Sequence, residues 1–205
     1  MKPYYIWILT FLSCHSIPQN RSNCFIDQGI KSAKIEAVLL SDTTQTVSGV
    51  IHFNTSGRPT FREDGDRKIE YRYDSKNLTH TIVHYTDGMS GVSKIDTNVV
   101  VQNDELGRPV KMNGADGKES IYAYQGCDEQ LEEYKEMDGT LIYTTKSIFK
   151  DGLLVESIWN TNDDSAAQVT KYFDYKFDKS GYWTERKYQY SSGKLILESR
   201  RLEYY

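Results

Sequence analysis

The chain has 205 residues and a formal net charge of −4, with acidic and basic residues interleaved. That length fits one sizeable domain or two small ones, and the lack of a basic block or an acidic run speaks against a nucleic-acid surface or a cation-buffering tail. Tyrosine is the unusual residue, at 16 against 4 prolines and 38% hydrophobic residues. A Tyr- and Thr-rich, Leu-poor chain favours strands with partly wet faces, because Tyr buries its ring and keeps its hydroxyl in water.

Residues 1–13 read as a leader: Lys2 supplies the positive start, Tyr4 to Leu12 an apolar run, and Ser13 precedes Cys14. The run is shorter than the roughly 20 residues of a membrane-spanning helix and fits a secretory signal. The ending Phe11-Leu-Ser-Cys14 resembles a bacterial lipobox, although Phe11 stands where Leu or Val is usual and the basic region is a single Lys. The resemblance implies cleavage before Cys14, acylation of that residue, and a membrane attachment through lipid. The alternative is an ordinary signal peptide cut elsewhere. By the same resemblance His15, in the place of an Asp, implies the outer membrane, with the face left open. Residues 14–28 then form a polar tether, and 29–205 the folded domain. Cys24 and Cys127 are candidates for a disulfide in an oxidising compartment, closing a loop of about a hundred residues worth about 4.7 kcal/mol of chain entropy. Two separate thiols are the alternative.

From Gly29 onward, short alternating segments are punctuated by turn residues, the mark of an antiparallel meander. Gly57 and Gly107 each open a Gly-Arg-Pro tripeptide and lie 50 residues apart, preceded by Asn54-Thr-Ser and Asp104-Glu-Leu. The phrase returns at Tyr73-Asp74-Ser-Lys-Asn77, in shortened form at Asp151-Gly152, and at Phe177-Asp178-Lys-Ser-Gly181. Second-type turns lie between these copies, at Asp87-Gly88, Asp116-Gly117, Asp138-Gly139 and Ser192-Gly193. In the first phrase an aromatic ends a strand, Asp or Asn accepts a backbone hydrogen bond two residues on, and Gly or Asn takes the positive-φ position. No segment holds a sustained helical stripe; Ala33, Ile35, Ala37 and Leu39 alternate as a strand.

As a set, Tyr73-Asp74, Gly107-Arg108, Asp116-Gly117 and Phe177-Asp178-Lys-Ser-Gly181 resemble the YD repeat of Rhs-family and teneurin-like proteins. There a Tyr-Asp-x-x-Gly-Arg turn alternates with an Asp-Gly turn along a long β-meander. The resemblance covers about Val50 to Tyr205 and also extends to small bacterial lipoproteins with this repeat. It implies the strand-turn architecture alone, since the degenerate units are too few for a shell around a cargo.

Alternation places Ile69, Tyr71 and Tyr73 on one face and Glu70 and Arg72 on the other. It likewise groups Phe173 with Tyr175 and Phe177, Tyr188 with Tyr190, Leu195 with Leu197, and Leu202 with Tyr204. One face is expected to be aromatic and aliphatic, the other charged. The fold class is therefore all-β, an antiparallel β-meander of repeated hairpins, as a curled sheet, open barrel or half-sandwich.

His80 and His84 have a metal-binding spacing on a helix, yet their β-branched surroundings read as a strand, where four residues span about 13 Å. They are expected to be surface residues, with no metal and no cofactor. Trp159 and Trp183 could stack on sugar rings or peptides; core packing is the alternative. Abundant carboxylates such as Glu132-Glu133 supply no singled-out catalytic pair, and a hydrolase is the least favoured reading. The expected function is a non-catalytic, lipid-anchored envelope protein acting as a binding or scaffold module. A glycan- or peptide-binding lipoprotein using an aromatic sheet face is the alternative, and no nucleic-acid partner is expected.

Overall fold

The structure, a computed structural model, describes residues 29–75, 77–86, 93–162 and 166–205. Cys14, Cys24, the leader and tether, and the Asp87-Gly88 turn lie outside the described residues. Fourteen antiparallel strands follow one another. They are β1 (Ile30–Leu39), β2 (Asp42–Phe53), β3 (Pro59–Asp64), β4 (Arg67–Asp74), β5 (Asn77–Thr86), β6 (Ser93–Asn103) and β7 (Pro109–Asn113). They continue as β8 (Glu119–Gln125), β9 (Glu129–Lys135), β10 (Leu141–Lys150), β11 (Leu153–Thr161), β12 (Gln168–Phe177), β13 (Trp183–Tyr190) and β14 (Leu195–Tyr204). Each pairs with its sequence neighbours, and β14 returns to β1, so the sheet closes into a barrel. The meander expected from the sequence is present. Its closure resolves the choice between curled sheet, half-sandwich and barrel.

Because the hairpins alternate direction, the two turn phrases sort to opposite ends. First-type turns share one end, here the base, with Gly29 and Tyr205; second-type turns line the other, the rim. Asn54, Asp104 and Asp178 build the same structure. Each side-chain Oδ1 accepts from the backbone N–H groups two and four residues on, at 2.8–3.1 Å. Gly57, Gly107 and Gly181 then take φ of 74°, 79° and 83°, each donating its N–H to the carbonyl of that Asn or Asp. Rim turns at Gly117, Gly139 and Gly193 repeat the positive-φ glycine. Two base turns are tighter. Asp74 faces Asn77 across a two-residue turn whose positive φ falls on Ser75, not on Asn77 as the phrase suggested, and Asp151-Gly152 forms the same kind of bend.

Register shifts sit beside the base turns, at Phe53, Tyr73, Asn103, Phe149 and Phe177. Such bulges bend a strand and increase its twist, which lets a long sheet curl shut. The residue after the glycine adds a clamp between hairpins. Arg58 lies over the Tyr73 ring at 5.7 Å and donates to the Ser75 carbonyl at 3.2 Å. Arg108 lies over Tyr124 at 4.0 Å and donates to the Gly126 carbonyl at 3.0 Å. Where Tyr182 replaces Arg in the third copy, it packs on Tyr204, whose hydroxyl donates to Asp178.

Following the register around the barrel puts every buried strand residue on one continuous face, the lumen. At the base Ile30, Ala33, Ile51 and Phe53 form a core. The outer face is laddered with charge: Lys68–Glu63, Lys111–Glu119, Lys146–Glu129 and Lys187–Asp174 pair at 2.7–3.0 Å. Several aliphatic residues there stand beside charges on neighbouring strands, Ile158 and Leu131 opposite Lys146 and Ile82 opposite Glu70, while the exposed Ile95 and Val99 of β6 stand opposite His84 and His80. A lipid-facing Lys or Arg costs about 2–4 kcal/mol at mid-membrane, so this wall suits water.

The conserved geometry of the base turns yields a first prediction. Asp104→Ala removes two backbone acceptor bonds and the Arg108 Nε contact on Oδ2 at 2.6 Å, and is expected to lower unfolding free energy by about 1–2 kcal/mol in urea titration. Asp104→Asn, which Asn54 shows to be compatible with the turn, should lose less than half of that.

Candidate binding site in the barrel lumen

A barrel of about eight strands is filled by its own side chains, and one of about sixteen leaves a channel. Among the described residues the base is filled and the rim is not: Trp183 is 1% exposed, whereas lumen-facing Val47 and Tyr190 near the rim are 43% and 38% exposed.

The filling at the base is an ion pair held between rings. Arg186 on β13 faces Glu198 on β14 and donates to its Oε2 from Nε at 3.0 Å and from Nη2 at 2.8 Å. The same guanidinium lies 4.5 Å from the Trp183 ring and 4.7 Å from Tyr172. Burial opposes its charge, but the Glu198 carboxylate and the Tyr175 and Tyr172 hydroxyls outweigh that and hold the Arg186 pKa above its usual range. Arg200 covers the Trp183 ring at 3.9 Å and donates from Nε to the Trp183 carbonyl at 3.2 Å. Tyr175 completes the layer, edge-on to Trp183 and donating to the Leu154 carbonyl at 2.6 Å. Stacked cations and a satisfied pair make this a structural plug.

Above it, strands β8 to β12 present a different wall. One row of register partners reads Tyr122, Glu132, Thr145, Trp159 and Gln168. The row nearer the rim reads Ser120, Tyr134, Tyr143 and Thr161, and the row below Tyr124, Gln130, Ser147, Ser157 and Thr170. Tyr134 and Tyr143 stack at 4.9 Å, and Tyr143 tilts against Trp159 at 6.3 Å. Tyr122 donates to Glu132 Oε1 at 3.1 Å. Burial pushes the Glu132 carboxyl up, and the hydroxyls of Tyr122 and Ser120 pull it partly back. Burial also raises the Tyr143 phenol, and Arg67, on the far wall in β4, is close enough to counter part of that shift. Thr145 Oγ1, Ser157 Oγ and the Trp159 indole N–H are buried and have no hydrogen-bond partner among the described residues.

The two tryptophans singled out by sequence therefore occupy different layers: Trp183 lies under the base cations and Trp159 in the half-open wall. His80 and His84 lie on the outer face, with His84 Nε2 3.3 Å from Glu70. No cluster of metal-ligating side chains occurs among the described residues. Cys127, in the turn between β8 and β9 at the base, is disulfide-bonded; the other cysteines, Cys14 and Cys24, fall outside the described residues.

Strict alternation misplaced part of the aromatic face. Asp174 has φ of 55° and sits in a bulge, so Phe173 pairs with Lys187 on the outside while Tyr175 turns inward. Leu195 and Leu197 point outward, and Leu202 inward opposite Ala33. The lumen is also more polar than an aromatic face implies. Arg186, Glu198 and Arg200 were not singled out, and Glu132 only as one of many carboxylates, because charged residues on strands default to the solvent side. Their parity with Tyr188, Leu202 and Tyr134 was the available signal.

No family model and no curated protein matches the sequence. Among solved structures the chain is similar to a porin-like protein from Bacteroides uniformis ATCC 8492, at 12% identity and a TM-score of 0.48, covering 86% of this chain and 98% of that one.

Two stability experiments follow from these layers. Arg186→Ala strands a buried carboxylate and is expected to cost about 3–5 kcal/mol in denaturant titration, whereas Arg186→Met combined with Glu198→Leu should cost far less. For Glu132, a folded pKa raised above the unfolded one means that its stabilising contribution is complete in acid. That contribution is lost as pH rises through the folded value. Glu132→Gln should leave the melting temperature near that of the parent in acid and raise it progressively toward neutral pH.

Proposed function

We propose that the chain is a lipid-tethered protein of the cell envelope, in the outer membrane, whose barrel is a non-catalytic binding module. The observation that supports this most directly is the division of its faces. The outer wall suits water, so attachment to a membrane falls to Cys14. The lumen offers ring faces and polar groups toward an open rim, the composition typical of a small-molecule site. Three of its carboxylates are engaged in bonds that position structure: Asp64 with Arg62 at 2.6 Å, Glu198 with Arg186, and Glu132 with Tyr122.

The topology adds an orientation to this reading. The chain enters the barrel at the base, and residues 15–28 reach at most about 50 Å when fully extended. A lipid on Cys14 would then hold the base toward the membrane and turn the rim away from it. With Cys14 acylated, Cys24 is left as the partner of Cys127, and the bridge fastens the tether to the base beside the β8–β9 turn.

Cell-envelope fractionation of Cys14→Ala tests the anchor. The variant should leave the membrane fraction and appear in the soluble periplasmic fraction with an unchanged melting temperature; retention in the membrane would refute the tether.

A further inference from the structure

We propose that the β8–β12 wall of the lumen binds a neutral saccharide, with Tyr134, Tyr143 and Trp159 as the stacking platform and Thr145, Ser157, the Trp159 N–H and Glu132 as its polar partners. The inference rests on the binding-module reading and names the ligand class of that site.

The chemistry of the wall selects the ligand. A buried hydroxyl or N–H without a partner costs about 1–3 kcal/mol. Three such groups lie together here: Thr145 directly faces Trp159 across the β10–β11 ladder, and Ser157 precedes Trp159 by one outward residue on the same strand. Thr145 is 4% exposed and Ser157 1%. An apolar ligand would leave all three unsatisfied. An anion would meet Glu132; of the lumenal cations Arg62 and Arg186 already hold Asp64 and Glu198, and Arg67 acts on Tyr143 only from across the lumen. A sugar hydroxyl both donates and accepts, so it can answer the indole N–H, the Thr and Ser hydroxyls and the Glu132 carboxyl together. The C–H face of a pyranose supplies the apolar surface that the Tyr143 and Trp159 rings are built to cover. The hydroxyls lie behind half-exposed rings, and a ligand reaches them as the Trp159 ring turns to another rotamer, a fast step for a partly exposed side chain.

The same wall argues against a purely structural use. In the base plug every ring stacks on a cation or meets a carbonyl, and Arg186 has its carboxylate. In the β10–β11 rows, by contrast, polar atoms of Thr145, Ser157 and Trp159 remain unpaired.

The test is calorimetric titration of the full-length Cys14→Ala chain with glucose, galactose, mannose and N-acetylglucosamine, and separately with glucuronate, inorganic phosphate and a neutral tripeptide. Saturable millimolar binding of at least one neutral sugar is expected, with no binding of phosphate. Thr145→Val replaces an unpaired hydroxyl by an isosteric methyl. It should weaken sugar binding about tenfold, equivalent to about 1.4 kcal/mol, while leaving the melting temperature equal or higher. Trp159→Phe keeps a ring but removes the N–H, and should weaken binding by at least as much. A loss of binding accompanied by a lower melting temperature in Thr145→Val would mark the hydroxyl as structural and overturn the assignment. Tripeptide or glucuronate binding that is sensitive to Thr145→Val would overturn the saccharide and leave the binding module standing. Absence of binding by every probe would overturn both.

Discussion

The pairing of the first strand with the last is the constraint on which the rest of this protein depends. A meander of fourteen strands with two free edges would expose unpaired N–H and C=O rows over the whole length of β1 and β14. Here Ala33 to Leu39 run opposite Leu202 to Ile196 without a break in register. Tyr205 strengthens the same seam by donating its N–H to Gly29 at 3.2 Å and its hydroxyl to the Phe53 carbonyl at 2.5 Å. Closure fixes which parity of each strand is enclosed. A one-residue slip at the seam would carry Glu198 and Arg200 to the outside and bring Arg201 and Leu197 in. The lumen's charge pairing and the seam's register are therefore one condition stated twice.

Closing such a sheet leaves a lumen too wide for a single layer of Leu and Val, and the molecule fills only one end of it. The base uses large rings and long cationic stems, Trp183 and Phe53 with Arg186 and Arg200, which span more space than aliphatic side chains. Burying a guanidinium is costly on its own, but Arg186 meets a carboxylate, two ring faces and a phenol at once, so its desolvation is offset from every side. Gly49 shows the same economy of space on β2, two strands away from β14. A Cβ there would lie 2.4 Å from Asp64 Oδ1, so the glycine makes room for the Arg62–Asp64 pair.

How much of this was legible in the sequence depends on the range of the interaction. Asn54, Asp104 and Asp178 declare their turns because the bonds they make reach only four residues along the chain. The alternation of Asp-x-x-Gly with Asp-Gly turns even encodes the two ends of the barrel. Closure is not local: nothing in Ala33 or Leu202 names the other as partner. Bulges were hidden for a related reason, since Asp174 in a left-handed conformation looks like any strand Asp, yet it reverses the facing of Tyr175 against Phe173. Trp159 was picked out as a ring alone. Its neighbours Thr145 and Glu132 come from other strands and could be assembled only once the register between β9, β10 and β11 was known.

The distribution of unsatisfied groups ties the architecture to its use. Base turns satisfy their backbone donors through Asx side chains and clamp one another through Arg58 and Arg108, which makes that end rigid. A rigid, closed end can hold the far wall in place without help from a packed interior, because each strand is already fixed by two neighbours and by its turn. That freedom is what allows Thr145, Ser157 and Trp159 to remain unpaired at a tolerable cost in a protein of ordinary stability. Under the proposed binding reading, those groups answer a ligand that enters from the rim end, because among the described residues the base is filled by Trp183 and the Arg186–Glu198 pair.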